Sequence, residues 1–402
     1  IEVDADNKPS FKALNDSVLK IKLKKPFPPF LNQLSLKYCS VIPHEAVKKY
    51  GKEFREHPVG TGPFILRYFI EGEKIILHPN PRYFETDKAG RRFPFLDAVV
   101  ISFVSSKQNE FLAFLRGDLS IVSGLDQSFK DELLSRNGNV KQSYKDRFRV
   151  EKNPFLNTEY LGIQLNDSLH KGSPLLQKKV RQAIHYAIDR QKMVKYLRNN
   201  IGTPATAGFV PPYLLPEDTS QYFLFDPAKS RALLQEAGYP NGKGLGEIGL
   251  MTTIEYLDLA VYVQKELQQI GLKVKINNVE ASTLKEWKAQ GKAPFFRASW
   301  IADYADAENY LSLFYSRNFS PGGPNYFHYY NAQFDRLFEL ALLEEDFHSR
   351  QQLYVKMQSV MMDDAPVIVL YYDVVVRLIA NNVEGLNTNP INLIDLKTVK
   401  MR

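Results

Sequence analysis

The stretch "YLDLAVYVQKELQQIGLKVKINNV" (Tyr256–Val279) contains two kinds of hydrophobic periodicity, separated by a single glycine. Before Gly271 the apolar residues recur every three or four positions, which predicts an amphipathic helix that the glycine ends. After Gly271, Val274 and Ile276 alternate with lysines, which predicts a strand with one buried face. A helix that passes directly into a strand indicates an α/β architecture.

Similar signals lie on both sides of this stretch. Three more helices are predicted by capping pairs at their N-termini. These pairs are Ser173 with Pro174, Asp226 with Pro227, and Thr283 with Glu286. Strands are predicted in "PFFRASWIADY" (Pro294–Tyr304) and in "APVIVLYYDVVVRLI" (Ala365–Ile379), the latter long enough to cross between lobes. The alternation predicts an open α/β lobe with ligands at the carboxyl ends of its strands.

Length and composition narrow the functional classes. A chain of 402 residues is expected to form two or more lobes. The net charge of +7 is scattered and forms no basic helix face, which argues against nucleic acid as a partner. Cys39 is the only cysteine, so disulfides within the chain and thiolate metal sites are excluded. No apolar run is long enough to predict a membrane-spanning helix.

The sequence contains no motif of a catalytic or cofactor site. None of its seven histidines has a second histidine or a cysteine two to four residues away, so a metal site has no local support. No G-x-S-x-G nucleophile motif is present. "GLGEIG" (Gly244–Gly249) has dinucleotide-loop spacing, but a predicted helix precedes it where that site needs a strand. We therefore predict neither an enzyme nor a bound cofactor.

An unusual group of carboxylates follows the strand in "RASWIADYADAENYLSLFY" (Arg297–Tyr315). Asp303 has three interpretations. It caps the helix that begins "AENYL", it pairs with a buried arginine such as Arg297, or it awaits the ammonium group of a ligand. Spacing alone favours the first two interpretations together over the third.

Five segments of the chain resemble the family 5 extracellular solute-binding proteins, which are peptide and dipeptide receptors of ABC importers. They occur in the family's order. The segments are "HPVGTGPF" (His57–Phe64), "KVRQAIHYAIDRQKMV" (Lys179–Val194), "ALLQEAGYPNGKG" (Ala232–Gly244), "VQKELQQIGLKVKI" (Val263–Ile276) and "WIADYADAENYL" (Trp300–Leu311).

The resemblance implies a two-lobed, type II periplasmic-binding-protein-like fold with a hinge near Tyr160 and Tyr372. It implies that 1–56 complete a subsidiary domain, 57–157 belong to lobe one, 158–370 form lobe two, and 371–402 return to lobe one. Because the family's chains begin well upstream, we expect that the signal segment and the first parts of lobe one and of the subsidiary domain are absent from this sequence.

The resemblance also implies a ligand site. Asp303 occupies the position whose carboxylate pairs with a peptide's α-ammonium group, and Arg297 has the spacing of an arginine that contacts the ligand's carboxylate. Prolines usual in the family are replaced by Ala305 and Ala307, which puts the rigidity of this loop in question. The full set of predicted ligand-binding residues is Asp303, Arg297, Trp300, Ser299, Ile301, Tyr304 and Tyr372.

The function implied is the capture of di- and oligopeptides and their delivery to the membrane permease of an ABC importer. The protein would act as a monomer in the periplasm or at the cell surface, with lipid anchoring left open. Three alternatives remain. A relative of the same fold could take a nickel chelate, a sugar or another small solute. A cleft hydrolase could use Asp303 and Asp306, and a polyanion or membrane-surface binder could use the net charge.

Overall fold

A computed structural model describes residues 10–124, 132–135 and 139–402 and shows a mixed α/β fold. Residues 1–9 of the predicted subsidiary segment 1–56 lie outside the described part. The strands are β1 (Phe11–Asn15), β2 (Val18–Ile21), β3 (Phe64–Ile70), β4 (Lys74–Pro79), β5 (Val99–Ser102), β6 (Ile121–Ser123), β7 (Phe148–Ile163), β8 (Thr203–Pro204), β9 (Glu247–Thr252), β10 (Lys273–Asn278), β11 (Phe295–Ile301), β12 (Val367–Ala380), β13 (Val383–Glu384) and β14 (Lys400–Met401).

The described residues also form eleven helices, which lie between these strands in the sequence. They are α1 (Phe30–Leu34), α2 (His44–Tyr50), α3 (Lys107–Arg116), α4 (Lys178–Ala187), α5 (Arg190–Leu197), α6 (Pro227–Glu236), α7 (Leu257–Gln268), α8 (Ala281–Ala289), α9 (Ala307–Leu311), α10 (Ala332–Ala341) and α11 (Phe347–Asp364). No helix in the described ranges is both long and apolar enough to cross a bilayer.

The chain divides into two compact units. Unit 1 holds the described residues of Ile1–Leu36, Thr158–Asp189 and Ala205–Leu370, and unit 2 holds those of Lys37–Asn157, Arg190–Pro204 and Tyr371–Arg402. Strands β7 and β12 each contain residues of both units. The assignment of chain segments to a subsidiary domain and two lobes stays a prediction.

Unit 1 contains the α/β arrangement that the segment Tyr256–Val279 predicts. Strands β9 and β10 are parallel and are joined by α7, with Ile248 opposite Val274. Strand β11 is also parallel to β9, with Phe296 opposite Met251. The strands with residues in unit 1 follow the order β10-β9-β11-β7-β12. Because β9, β10 and β11 share one direction, their carboxyl ends meet at the same edge, and Asp303 follows β11 at that edge.

Aromatic side chains form much of the core of unit 1. Phe314 packs edge-on against Phe209 and face-on against Phe327, with ring centroids 4.9 and 5.1 Å apart. A glycine at 162 lets Phe296 and Phe327 approach β7, since a Cβ there would lie within 2.4–2.8 Å of their rings. Aromatic pairs of this geometry add about 0.5–1.5 kcal/mol beyond their buried area.

Unit 2 has its own smaller sheet and its own apolar core. Strands β3, β4 and β5 form an antiparallel sheet in that order. Elsewhere in unit 2, β12 pairs in antiparallel fashion with β6 and with β8, which places Tyr372 opposite Thr203. Phe111, Phe114 and Phe148 are almost fully buried in the core that α3 closes.

Two of the three predicted helix starts are wrong, and the third is confirmed. Asp226 caps α6 by accepting a hydrogen bond from the Lys229 amide at 2.9 Å. After Ser173 the chain makes only a 3-10 turn, and α4 begins at Lys178 because Gln177 is extended. Helix α8 begins two residues before Thr283, so the capping-box spacing of Thr283 and Glu286 has no such role.

Candidate functional site

Six of the seven predicted ligand-binding residues lie in unit 1, on β11 or on the loop that follows it. Along β11 the side chains alternate between the faces of the sheet, so that Arg297, Ser299 and Ile301 share one face. Ile301 is half exposed although it is apolar, and Ser299 is partly buried. The seventh residue, Tyr372, is buried in unit 2 on β12.

Asp303 does not cap the following helix, so that interpretation is wrong. The N-cap of α9 is Asp306, whose carboxylate accepts a hydrogen bond from the Glu308 amide at 2.9 Å. Asp306 has the extended backbone that an N-cap requires. Its carboxyl group is partly buried, and this burial raises its pKa.

The second interpretation, in which Asp303 forms an ion pair with a buried arginine such as Arg297, is wrong as well. The guanidinium of Arg297 binds Glu159 of β7, with Nε 2.9 Å from Oε2 and Nη2 2.5 Å from Oε1. The Glu159 side chain is 2% exposed and that of Arg297 is 12% exposed. The Tyr256 ring lies against the guanidinium, with its centroid 3.1 Å from Cζ of Arg297. Arg297 is therefore already held by a carboxylate and an aromatic face of the protein.

Lys288 of α8 adds a second positive charge in this part of unit 1. Its ammonium group lies 5.3 Å from the ring centroid of Tyr326 and 5.8 Å from that of Phe296. Burial, with smaller contributions from Arg297 and Lys285, lowers the pKa of Lys288 to about 8. Aromatic faces stabilise such a cation less than a carboxylate does.

Asp303 itself carries an exposed carboxylate at the carboxyl end of the parallel strands. Within the described ranges, that carboxylate makes no ion pair and no hydrogen bond with another side chain or with the backbone. The backbone amide of Asp303, in contrast, donates to Oδ1 of Asn309 at 3.2 Å. Among the described residues, the Asp303 carboxylate thus has no counter-charge, whereas the backbone of Asp303 is held by a hydrogen bond.

The loop between β11 and α9 is held by further polar contacts. Trp300 donates its indole N–H to the same oxygen of Asn309, at 3.0 Å. The amide of Asp306 donates to the Tyr304 carbonyl at 2.9 Å, and the Tyr304 hydroxyl donates to Glu308. Gln33 donates to that hydroxyl at 3.5 Å. Despite the alanines at 305 and 307, this loop is tied down by side chains.

Burial raises the pKa values of the acidic residues at the start of α9. Glu308 is 7% exposed, and burial raises its pKa to about 7 against the opposing effect of the Tyr304 hydrogen bond. Burial likewise raises the pKa of Tyr304. Asp306 and Glu308 are thus occupied inside the protein. The hydrolase alternative relied on Asp303 with Asp306, and the structure shows the Asp306 carboxylate as the cap of α9.

Sequence reasoning missed three residues of this site: Glu159, Tyr256 and Asn309. Glu159 had a signal, because it is the only charged residue in the otherwise apolar or neutral run "LNTEYLGIQL" (Leu156–Leu165). A lone charge within a buried strand indicates a partner of opposite charge. Asn309 had none that distinguishes it from an exposed helical asparagine. In the described ranges no three His, Cys, Asp or Glu side chains are grouped as metal ligands.

Comparisons with known proteins match this fold and this chain. The model of the bacterial extracellular solute-binding proteins, family 5 middle region, matches residues 3–321. The glutathione-binding protein GsiB of Salmonella choleraesuis (strain SC-B67) is 28% identical over 381 residues, which cover 93% of this chain and 70% of the relative.

Solved structures share the fold. The periplasmic binding protein DppA from Helicobacter pylori, in complex with the peptide STSA, is 25% identical, with a TM-score of 0.80 over 98% of this chain and 74% of the other. The substrate-binding protein CtaP from Listeria monocytogenes has a TM-score of 0.82 at 21% identity, covering 99% of this chain and 79% of the other.

Proposed function

This chain belongs to the bacterial extracellular solute-binding proteins of family 5, and we propose that it binds peptides through their free α-ammonium group. Proteins of this family are extracytoplasmic components of ABC transporters. The Asp303 carboxylate carries the proposal, because it is exposed and has no partner among the described residues. A buried ammonium group requires such a counter-charge, since an unpaired charge out of water is heavily penalised.

The rest of the predicted site supports peptide as the ligand class. Strand β11 ends beside the anchor, and the main chain at Ser299 and Ile301 offers hydrogen bonds of the kind that hold an extended peptide regardless of its side chains. Trp300 provides an aromatic wall close to the anchor. The DppA structure from Helicobacter pylori contains a tetrapeptide, which favours the same class of ligand here.

Glutathione is the second candidate, because the relative GsiB is described as a glutathione-binding protein. Glutathione also has a free α-ammonium group, so both candidates need the Asp303 carboxylate. The two ligands differ in their number of carboxylates, because glutathione has two and a simple peptide has one. Arg297 is already paired with Glu159, so a second carboxylate of the ligand would need another cation. In either case the bound solute passes unchanged to a membrane permease, and the protein performs no chemistry.

The test is calorimetric titration of alanine tripeptide, its N-acetylated form and glutathione into the wild type and Asp303→Asn. We expect the wild type to bind the free-amine peptide about 30- to 1000-fold more tightly than the acetylated one, as for a desolvated charge pair. The Asn variant should lose that preference. Glu286→Gln, which changes an exposed carboxylate of α8, serves as the control.

Two outcomes would contradict the proposal. Equal wild-type affinity for the free and acetylated peptides would remove the ammonium anchor. Binding of a sugar or a metal chelate, without binding of any peptide or of glutathione, would transfer the protein to another ligand class. Preference for glutathione over the tripeptide, lost in Asp303→Asn, would select the second candidate.

A further inference from the structure

One buried amide connects the two residues that would meet the ligand's amino terminus. Oδ1 of Asn309 accepts hydrogen bonds from the Trp300 indole at 3.0 Å and from the Asp303 backbone amide at 3.2 Å. Asn309 is 5% exposed. An amide oxygen has two lone pairs, and both are used here. Since both partners are N–H donors, the oxygen rather than the nitrogen of the amide must face them.

The helix that carries Asn309 places it for this contact. Asp306 caps α9, which makes Asn309 the third helical residue. Side chains in a helix lean toward its N-terminus, so a residue in the first turn reaches back over the preceding loop. That loop contains Asp303. The cap at Asp306 therefore determines where the amide of Asn309 points.

We propose that Asn309 is a positioning residue that sets the direction of the Asp303 carboxylate and the plane of the Trp300 ring together. This inference rests on the proposed function, because it gives the reason why the anchor faces the ligand. A single acceptor shared by two donors couples them, so its loss releases the anchor and the aromatic wall at once. Tyr304 and Asp306 also hold this loop, through hydrogen bonds to the side chain and to the backbone amide of Glu308.

Two variants of similar size separate the acceptor from the side chain's bulk. Asn309→Leu keeps the approximate volume and has no acceptor, whereas Asn309→Asp keeps an oxygen in the place of Oδ1. Both are made in a Trp287→Phe background, which leaves Trp300 as the sole tryptophan, because the chain has two. The measurements are indole emission without ligand and the affinities for free and N-acetylated alanine tripeptide.

We expect Asn309→Leu to shift the Trp300 emission and to lower the preference for the free-amine peptide by roughly tenfold, about the effect of one lost hydrogen bond. Asn309→Asp should keep the emission and hold the ratio of the two peptide affinities within about threefold of the background protein, since its oxygen can accept both bonds. Its buried carboxylate, close to Asp306 and Glu308 in the chain, costs stability and should weaken both peptides alike. A merely structural role would weaken both peptides equally, leaving their affinity ratio unchanged.

The inference is overturned if Asn309→Leu leaves that ratio unchanged, whatever happens to the emission. It is also overturned if Asn309→Asp loses the preference as fully as Asn309→Leu. Should Asn309→Leu fail to fold by circular dichroism, Asn309→Ser, whose hydroxyl is too short to reach both donors, takes its place under the same criteria. A background protein without any preference for the free amine marks a failure of the proposed function itself.

Discussion

Arg297 and Asp303 lie six residues apart, on one strand and on the loop that follows it, yet they differ in burial and in ion pairing. The arginine is buried against Glu159 and the ring of Tyr256. The aspartate is exposed and, in the part of the chain that the structure describes, has no counter-charge. The comparison therefore supports the proposal that Asp303, rather than Arg297, holds the charge of the ligand.

The largest effect is expected from breaking the buried pair. Glu159→Gln leaves the Arg297 guanidinium buried without a counter-charge, which should lower the free energy of unfolding by about 3–5 kcal/mol. Chemical denaturation measures it. Asp118→Asn, which breaks an exposed pair with Arg116, is the control and should cost less than about 1 kcal/mol.

The same pair can be replaced rather than broken. Glu159→Leu combined with Arg297→Met removes both charges, and most of the lost stability should return, because well-packed apolar residues often match a buried ion pair. If Glu159→Gln alone costs as little as the control, Arg297 is not held by this pair, and its role as a contact to the ligand's carboxylate regains support.

The second effect is a pH dependence that originates in Glu308. Its folded pKa of about 7 lies above the ordinary value of 4.5. The folded state therefore favours the protonated form, and this stabilisation is complete below pH 4.5 and is lost as the pH rises through 7. Glu308→Gln cannot ionise. Relative to wild type, it should gain about 2–3 kcal/mol between pH 4.5 and pH 8.

Unfolding curves at several pH values measure the difference between the two proteins, so that other titrating groups cancel. Glu286→Gln is again the matched control, because its carboxylate is exposed. A difference between wild type and Glu308→Gln that does not vary with pH would mean that Glu308 is ionised in the folded protein throughout this range.

The smallest effect separates the two aspartates of the loop. Asp306→Ala removes the cap of α9 and should cost about 1 kcal/mol of stability. Asp303→Ala removes a carboxylate without a partner and should change stability by less than about 0.5 kcal/mol while abolishing the preference for free-amine peptides. Differential scanning calorimetry and the peptide titration together test this contrast. A reversed order of the two stabilities would assign the cap to Asp303.

Local patterns determined much of the secondary structure but could not choose among equivalent polar residues. Asp226 with Pro227 predicted the start of α6, and Gly271 marked the end of α7, since these signals act within one turn. The capping-box spacing at Thr283 failed, because α8 begins earlier at Ala281. Likewise, both Asp303 and Asp306 could cap a helix, and only the observed backbone shows that Asp306 does.

The sequence by itself determined the family, the α/β class and the position of Asp303 after a strand of unit 1. It did so because periodicity and short motifs are local properties of the chain. Only the tertiary structure decided that Arg297 pairs with Glu159, which is distant in sequence, and that Asn309 joins Trp300 to Asp303. Such pairings depend on which strands become neighbours and on how a helix is oriented, and charge or spacing along the chain does not specify either.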